Sequence, residues 1–462
     1  AASSWLGAGL LICASVWRIA SMEASGLSYV GVRAILQNMK RAFVFLLSIA
    51  FAFPVGAAAQ GLSRELVAPL TIDGSGVRTI AVVPINFEGQ RIRPTTQARL
   101  GNMFFNSPDT DKFSESLASY WELSSYGRER IEGKVFGLTP IDGKSSCNRS
   151  LSDGWAEQVK NYWADRGESL DEYDHLFLIM PSRKCDFGGF ASSPGKLIVI
   201  NQWPNDWATV RAHSSITVST LAHELLHNLG FSHSGIVGCV AEGEKTSLGG
   251  DCKETDRYKY DWDPYEIITS AGYWPKHLLN SFQRITLGFI PESEQVRLDA
   301  SGTHTVSLNP IEFADSAMKA LVVRRVGLNE YITPTYDSDD MPTAGAPDIC
   351  IEWHQPNGWF NNFNSKSPVV RGISMRLCDL YSGGLEYLLE EGGSETGFYQ
   401  AGTRLIDATP GSKAGKADWS DAQLTKGTWT DEFTGITIRV VGFNKTGTDR
   451  SQWSMNLEVV IP

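Results

Sequence analysis

The chain has no uninterrupted apolar run of about 20 residues, the length a helix needs to span a bilayer. It also has no C-terminal membrane segment, internal repeat or low-complexity tract. This excludes a solenoid and a biased linker and leaves a longer signal-anchor at the N-terminus as the membrane-bound alternative. Basic charge is scarce: 41 Lys and Arg face 52 Asp and Glu, a net −11. A general nucleic-acid binder carries the opposite balance, so that class is excluded. Charged residues are only 20% against 42% hydrophobic, too few for a disordered chain. Cysteines are few and odd in number, at seven. No methionine lies between Met180 and Met318.

Among what is present, the first informative stretch is Met39-Lys40-Arg41 followed by the apolar run 42–53 and Pro54-Val55-Gly56-Ala57-Ala58-Ala59. A positive start, an apolar segment of about a dozen residues and a small-residue cleavage site make a secretory signal peptide. The expectation is that residues 1–38 are an upstream, non-functional segment and that 39–59 are removed. A secreted or extracellular protein follows, or a periplasmic one in a Gram-negative source, with no stable membrane association after processing. Loss of residues 1–59, with Arg18, Arg33, Lys40 and Arg41 against Glu23, takes the length from 462 to 403 and the charge from −11 to −14. It also removes Cys13 and leaves an even six: Cys147, Cys185, Cys239, Cys252, Cys350 and Cys378. Six cysteines in an exported chain imply disulfides, with 15 pairings open. Pairing of nearest neighbours, 147–185, 239–252 and 350–378, is one of them.

From residue 75 to 290 the texture is α/β. Strands are predicted at 77–87, 131–138, 175–181 and 197–203, and helices at 95–105, 113–123, 152–167 and 215–229. Ser152 is read as the cap of the third helix and Gly167 as its end. After Pro291, short alternating runs separated by turn residues predict strands at 304–308, 320–326, 349–353, 372–378, 436–441 and 453–460, the spacing of a β-sandwich. The fold expected is α+β: a catalytic domain over 60–290, a mixed sheet plus an active-site helix, then an all-β sandwich-like domain over 291–462.

The stretch that carries chemistry is His223-Glu224-Leu225-Leu226-His227-Asn228-Leu229-Gly230-Phe231-Ser232-His233. His223 and His227, four apart on a helix, project from one face and can share one Zn²⁺. Gly230 ends the helix and lets the chain turn so that His233 arrives as a third ligand. A fourth position stays open for water, as a catalytic zinc requires, whereas a structural zinc is closed by four ligands. Glu224 adjoins the first ligand and is placed to act as general base.

This extended motif resembles that of the metzincin metalloproteases. Over most of 75–290 the chain is similar to the gametolysin-like secreted members and their bacterial relatives. The likeness is carried by Ser124-Ser125-Tyr126-Gly127, 131–135, Tyr173-Asp174, Cys185 with Gly188, Gly189 and Ala191, Asp263-Pro264-Tyr265, Leu279-Asn280-Ser281 and Leu287-Gly288-Phe289. The resemblance implies a monomeric zinc endopeptidase acting on protein or peptide substrates. Its cleft would lie between a five-stranded upper half and a helical lower half. Two features depart from the family. Where metzincins floor the metal with a methionine turn, the aligned residue is Ile268. No cysteine between Gln60 and the first strand offers a latency switch.

Several other residues have a structural role to set against a functional one. Gly188 and Gly189 with Leu197 and Val199 are candidate substrate contacts as an edge strand. His213 is assigned to the surface and His277 to a structural role. Asp337, Asp339 and Asp340 around Ser338 make a candidate Ca²⁺ loop. Asn148-Arg149-Ser150 and Asn444-Lys445-Thr446 are glycosylation sequons. Trp353, Trp359 and Phe360 read as core or as a glycan or substrate surface. The rival to the enzyme is a weakly active or inactive binding or adhesion protein.

Overall fold

A computed structural model describes residues 76–89, 97–105, 116–181, 185, 187–201, 217–231, 233–254, 263–269, 277–325, 348–358, 360–361, 363–378, 402–413, 418 and 420–462. The signal-peptide segment, His213, Trp359 and the acidic loop at 337–340 lie outside them.

The first sheet grows from β1 (Val77–Phe87), nearly continuous in β-branched and apolar residues. Such a strand needs cover on both faces. It has parallel neighbours on both sides, β2 (Arg130–Val135) and β4 (His175–Met180), and β3 (Thr139–Ile141) extends the same pairing. β4 pairs in parallel with β6 (Leu197–Asn201), and β5 (Gly189–Ala191) closes the edge in the antiparallel sense. The order is β2-β1-β4-β6-β5.

Alternation along the strands divides the cover. Ile80, Val82, Phe177, Ile179, Ile198 and Ile200 face a core with α1 (Gln97–Phe105), α2 (Leu117–Ser124) and α4 (Val218–Asn228). Ala81, Val83, Leu178 and Val199 face Trp155 and Val159 of α3 (Ser152–Ala164). Ser152 is not the cap expected of it. It is the first helical residue, because a 3₁₀ turn over Arg149–Leu151, capped by Asn148, runs directly into α3.

The remaining strands form two sheets. The larger has the order β10 (Gln295–Leu298), β12 (Ala320–Arg324), β13 (Asp348–Trp353), β14 (Ile373–Cys378), β15 (Arg404–Ile406), β7 (Gly235–Ala241), β8 (Glu244–Thr246), with β9 (Asp251–Glu254) also on β7. The smaller is β11 (Gly302–Leu308), β18 (Ser454–Ile461), β17 (Thr437–Asn444), β16 (Gly427–Thr430). Their facing side chains, among them Leu321, Ile351, Met375, Leu457 and Val459, share one core. β18 alternates buried and half-buried residues, as the outer layer of a sandwich should, while β13 and β14 are buried throughout. The second face of β12 to β14 explains this, since Val322, Cys350 and Cys378 join the core of α4.

The boundary expected at 290/291 therefore does not separate the sheets. β7, from the stretch before it, pairs in parallel with β15, from well after it, and Val67–Pro462 cohere as one unit. The change of texture at Pro291 is real, but parallel pairing between residues so distant leaves no local signature. Helix α5 (Ser281–Thr286), with an Asn280 capping box, also packs on β13.

Three disulfides join Cys147 to Cys185, Cys239 to Cys252 and Cys350 to Cys378, the nearest-neighbour pairing. Such bonds form in an oxidising, extracellular-type environment. Among the described residues no helix is long and apolar enough to cross a membrane.

Candidate metal centre

Helix α4 starts where Thr217, in extended conformation, accepts a hydrogen bond from Thr220 N at 3.1 Å. Leu221, Ala222, Leu225, Leu226 and Leu229 anchor it in the core. It stops at Gly230, whose φ of +89° lies in the left-handed region that a side chain disfavours. Two bonds close the end: Phe231 N donates to Leu226 O at 3.0 Å and Gly230 N to His227 O at 2.9 Å. This Schellman arrangement swings the chain back across the helix.

His233 is thereby delivered to the other two histidines. The Nε2 atoms of His223, His227 and His233 form a triangle with all three sides 3.2 Å. A tetrahedral ion bound at about 2.0–2.1 Å spaces its ligand nitrogens about 3.3–3.4 Å apart, so the triangle fits such an ion. The opposite ring nitrogens support the fit. His223 Nδ1 lies 3.1 Å from Ile267 O, and His227 Nδ1 lies 2.8 Å from Phe231 O. Carbonyls accept only, so each Nδ1 carries the proton and each Nε2 turns a lone pair to the common point. Burial, with neighbouring imidazoles in the case of His223, holds both rings below the usual histidine range and in the neutral form a metal needs.

Glu224 is buried, and its Oε2 has no hydrogen-bond partner. Burial pushes its pKa up to about 8, against a small opposing pull from Arg149. A carboxylate kept unsatisfied beside three converging imidazoles is an acceptor in waiting. The β5 backbone passes directly over it, and a Cβ on Gly189 would sit 2.8 Å from Glu224 Oε1 and 2.9 Å from its Cγ. We expect Gly189→Ala to push the carboxylate aside rather than unfold the sheet, because the clashing atoms end a flexible side chain. The check is the melting temperature of the variant; a large drop would refute this account.

The other sequence-derived contacts separate. Gly188 and Gly189 lie at the sheet edge, but Leu197 and Val199 do not line it. β6 is an interior strand, hydrogen-bonded on both sides, and these two side chains pack against the core beneath α3. The alternation that aims Ile198 and Ile200 at α4 necessarily aims Leu197 and Val199 away. Ile268 is buried in the core of α4, and its carbonyl accepts Ser234 N at 2.7 Å. The turn that bears it thus meets the triad through Ile267 O and Ser234. His277 stacks on Phe363, with centroids 4.7 Å apart, and stands away from the triad. Trp353 and Phe360 are buried core residues.

Two polar networks were not legible in the sequence. In the first, Asn228, fully buried, donates to Ser192 O at 2.6 Å and Leu197 O at 3.1 Å, tying the β5–β6 hairpin to the end of α4. Its Oδ1 is 3.0 Å from Nδ1 of His175, whose Nε2 faces Arg78, itself paired to Glu129. Its place beside His227 is the one available signal. The second lies under the Ile267 turn. Glu266 accepts from Ile267 N at 2.9 Å, from Gln283 Nε2 at 2.8 Å and from Asn280 Nδ2. Nearby, Arg376 pairs with Asp263 and Glu352, and His354 sits between Glu352 and Glu312 at 2.9 and 2.6 Å.

This second network sets a pH dependence. Burial alone would lower His354, but the two carboxylates outweigh it and raise its pKa to about 9. Burial raises Glu266 to about 7 despite Arg376. In both cases the folded pKa exceeds the unfolded one. The stability they contribute is therefore complete below the unfolded pKa and is lost as pH rises through the folded value. The windows run from about 6.5 to 9 for His354 and from about 4.5 to 7 for Glu266. The melting temperature should fall from pH 6.5 to 9, with His354 giving up on the order of 3 kcal/mol. A flat or rising melting temperature over that range would count against the charged His354.

No family model matches the chain, and no curated protein matches it. One solved structure with some likeness is described as "Structure of a chaperone-substrate complex". It shows 12% identity and a TM-score of 0.22 over 47% of this chain and 33% of its own, so the chain spans about a third of it. A likeness of that size carries no argument.

Proposed function

We propose that the chain is a zinc-dependent endopeptidase, exported and hydrolysing extracellular proteins. Within that class it is a metzincin of the gametolysin-like kind, with a sandwich-like β portion attached. The observation that carries the reading is the equilateral Nε2 triangle of His223, His227 and His233 beside the unpartnered, buried carboxylate of Glu224. The edge position of β5 among the described strands and the disulfides of an oxidising compartment add support.

The three imidazoles would hold Zn²⁺. When bound, zinc supplies Lewis acidity toward the scissile carbonyl and the attacking water. The chain's own groups do the rest. A substrate in extended form adds as a strand to the free edge of β5, its backbone bonded to that of Gly189 and its neighbours. This sets the scissile bond over Glu224. Glu224 takes the proton of the attacking water at its free Oε2 and returns it to the leaving amine. Burial raises the basicity of that carboxylate and so strengthens its hold on the transferred proton. Asn228 keeps strand and helix in register. The Ile267 and Phe231 carbonyls hold the His223 and His227 rings in the ligating tautomer.

The test is hydrolysis of casein by the full chain, before and after chelation and after Zn²⁺ is restored. Loss and recovery of cleavage are expected, and cleavage indifferent to the chelator would end the proposal. A second reading, an inactive binding protein, is favoured by Ile268 in place of the methionine. Zinc uptake with no cleavage of any mixed protein substrate would select it.

A further inference from the structure

The endopeptidase reading leaves the preferred peptides open, and any substrate preference drawn from the cleft rests on that reading. Arg149 is exposed, yet it is not a loose surface cation. The Asn148 carboxamide caps its 3₁₀ turn, accepting Ser150 N at 3.1 Å. The Cys147–Cys185 bond, with Cα atoms 5.4 Å apart, ties that turn to the loop entering β5. Its guanidinium lies 5.1 Å from the ring centroid of Phe187 and 5.6 Å from that of Phe190. The two rings meet edge to face at 5.0 Å. Stacking of this kind holds a cation in place at partial desolvation cost.

Phe187 and Phe190 bracket Gly188 and Gly189, and Gly189 is the residue in contact with Glu224. Arg149 is thus held within two residues of the backbone that crosses the catalytic carboxylate. No carboxylate pairs with Arg149 among the described residues, so its charge is available to a ligand. A peptide added to the β5 edge alternates its side chains between the two faces of the sheet. Those on the face of α3 pass beside Phe190 and its guanidinium.

We propose that Arg149 is a specificity-determining residue that makes the cleft favour peptides with an acidic side chain close to the scissile bond. A guanidinium offers a carboxylate a two-pronged partner and repels a lysine at the same place. Reversing its charge should change the preference about tenfold, the effect of a unit charge pair at a partly exposed site counted with both signs.

Cleavage sites of the full, disulfide-bonded chain would be mapped by mass spectrometry on casein and a mixed peptide digest. Two quenched peptides would then be built on the best site, differing only by Glu or Lys at the most selective flanking position. We expect the wild type to favour the Glu peptide in kcat/KM, Arg149→Lys to keep that sign, and Arg149→Glu to lower the Glu-to-Lys ratio about tenfold or more. A ratio common to all three proteins overturns the inference while leaving the endopeptidase reading intact. A wild type that cleaves neither peptide nor casein overturns both.

Discussion

Glu224→Gln is expected to lower kcat by about 10²–10⁴ while the protein still folds and still takes up one zinc per chain. The amide keeps the size and polarity of the carboxyl group but has no basicity at any working pH. In the native chain the Glu224 Oε2 is buried and unpartnered, and Gly189 leaves no room for a side chain above it. The substitution therefore removes proton transfer and little else. The histidine triangle does not depend on it, since His223 and His227 are oriented by the Ile267 and Phe231 carbonyls. The measurement is steady-state hydrolysis alongside metal content by mass spectrometry. Undiminished turnover with zinc present would refute the role of Glu224, and loss of zinc would show that the carboxylate also shapes the metal site.

The second large effect concerns stability. Arg376 is 1% exposed on β14, and it donates Nε to Asp263 at 2.8 Å and Nη1 to Glu352. Arg376→Ala would leave Asp263 buried beside Glu266 without its cation, and Glu352 with only His354, which it shares with Glu312. Removing one partner of a buried ion pair costs about 3–5 kcal/mol, a large fraction of the stability of a folded domain. Asp263 opens the turn whose Ile267 carbonyl orients His223, so zinc affinity should fall with the melting temperature. Arg376→Met with Asp263→Asn and Glu352→Gln should recover part of the stability, because the uncompensated charges go with the cation. A single variant with an unchanged melting temperature would mean that the network adds no stability.

Both predictions rest on tertiary contacts that differ in how openly the sequence announces them. The histidine spacing, the stop at Gly230 and the adjacency of Glu224 are local properties of one helix and its end. Hydrogen-bond geometry and chain stiffness fix such properties within a dozen residues. The three cysteine pairs join as nearest neighbours, and the alternation of buried positions marks most strands to within a few residues. The edge strand is harder. Periodicity shows that residues 197–201 form a strand but not which side of it lies uncovered. Leu197 and Val199, expected at the substrate, belong instead to the core under α3.

The sequence by itself determined the chemistry at hand: three imidazoles, one carboxylate and a glycine turn in a single segment. It also determined an oxidised cysteine framework and an α+β composition. The tertiary structure alone decided what surrounds that chemistry. The pairing of β7 with β15 carries the chain across the expected boundary. The Asn228 bonds fix the edge hairpin, Glu266 and Arg376 lie beneath the Ile267 turn, and a disulfide ties the turn bearing Arg149 to the loop that enters β5. The physical reason is sequence separation. A helix writes its contacts three and four residues apart, where a reader can find them. A buried polar group finds its partner wherever the packed chain places one, and burial without a partner costs enough to make that meeting specific.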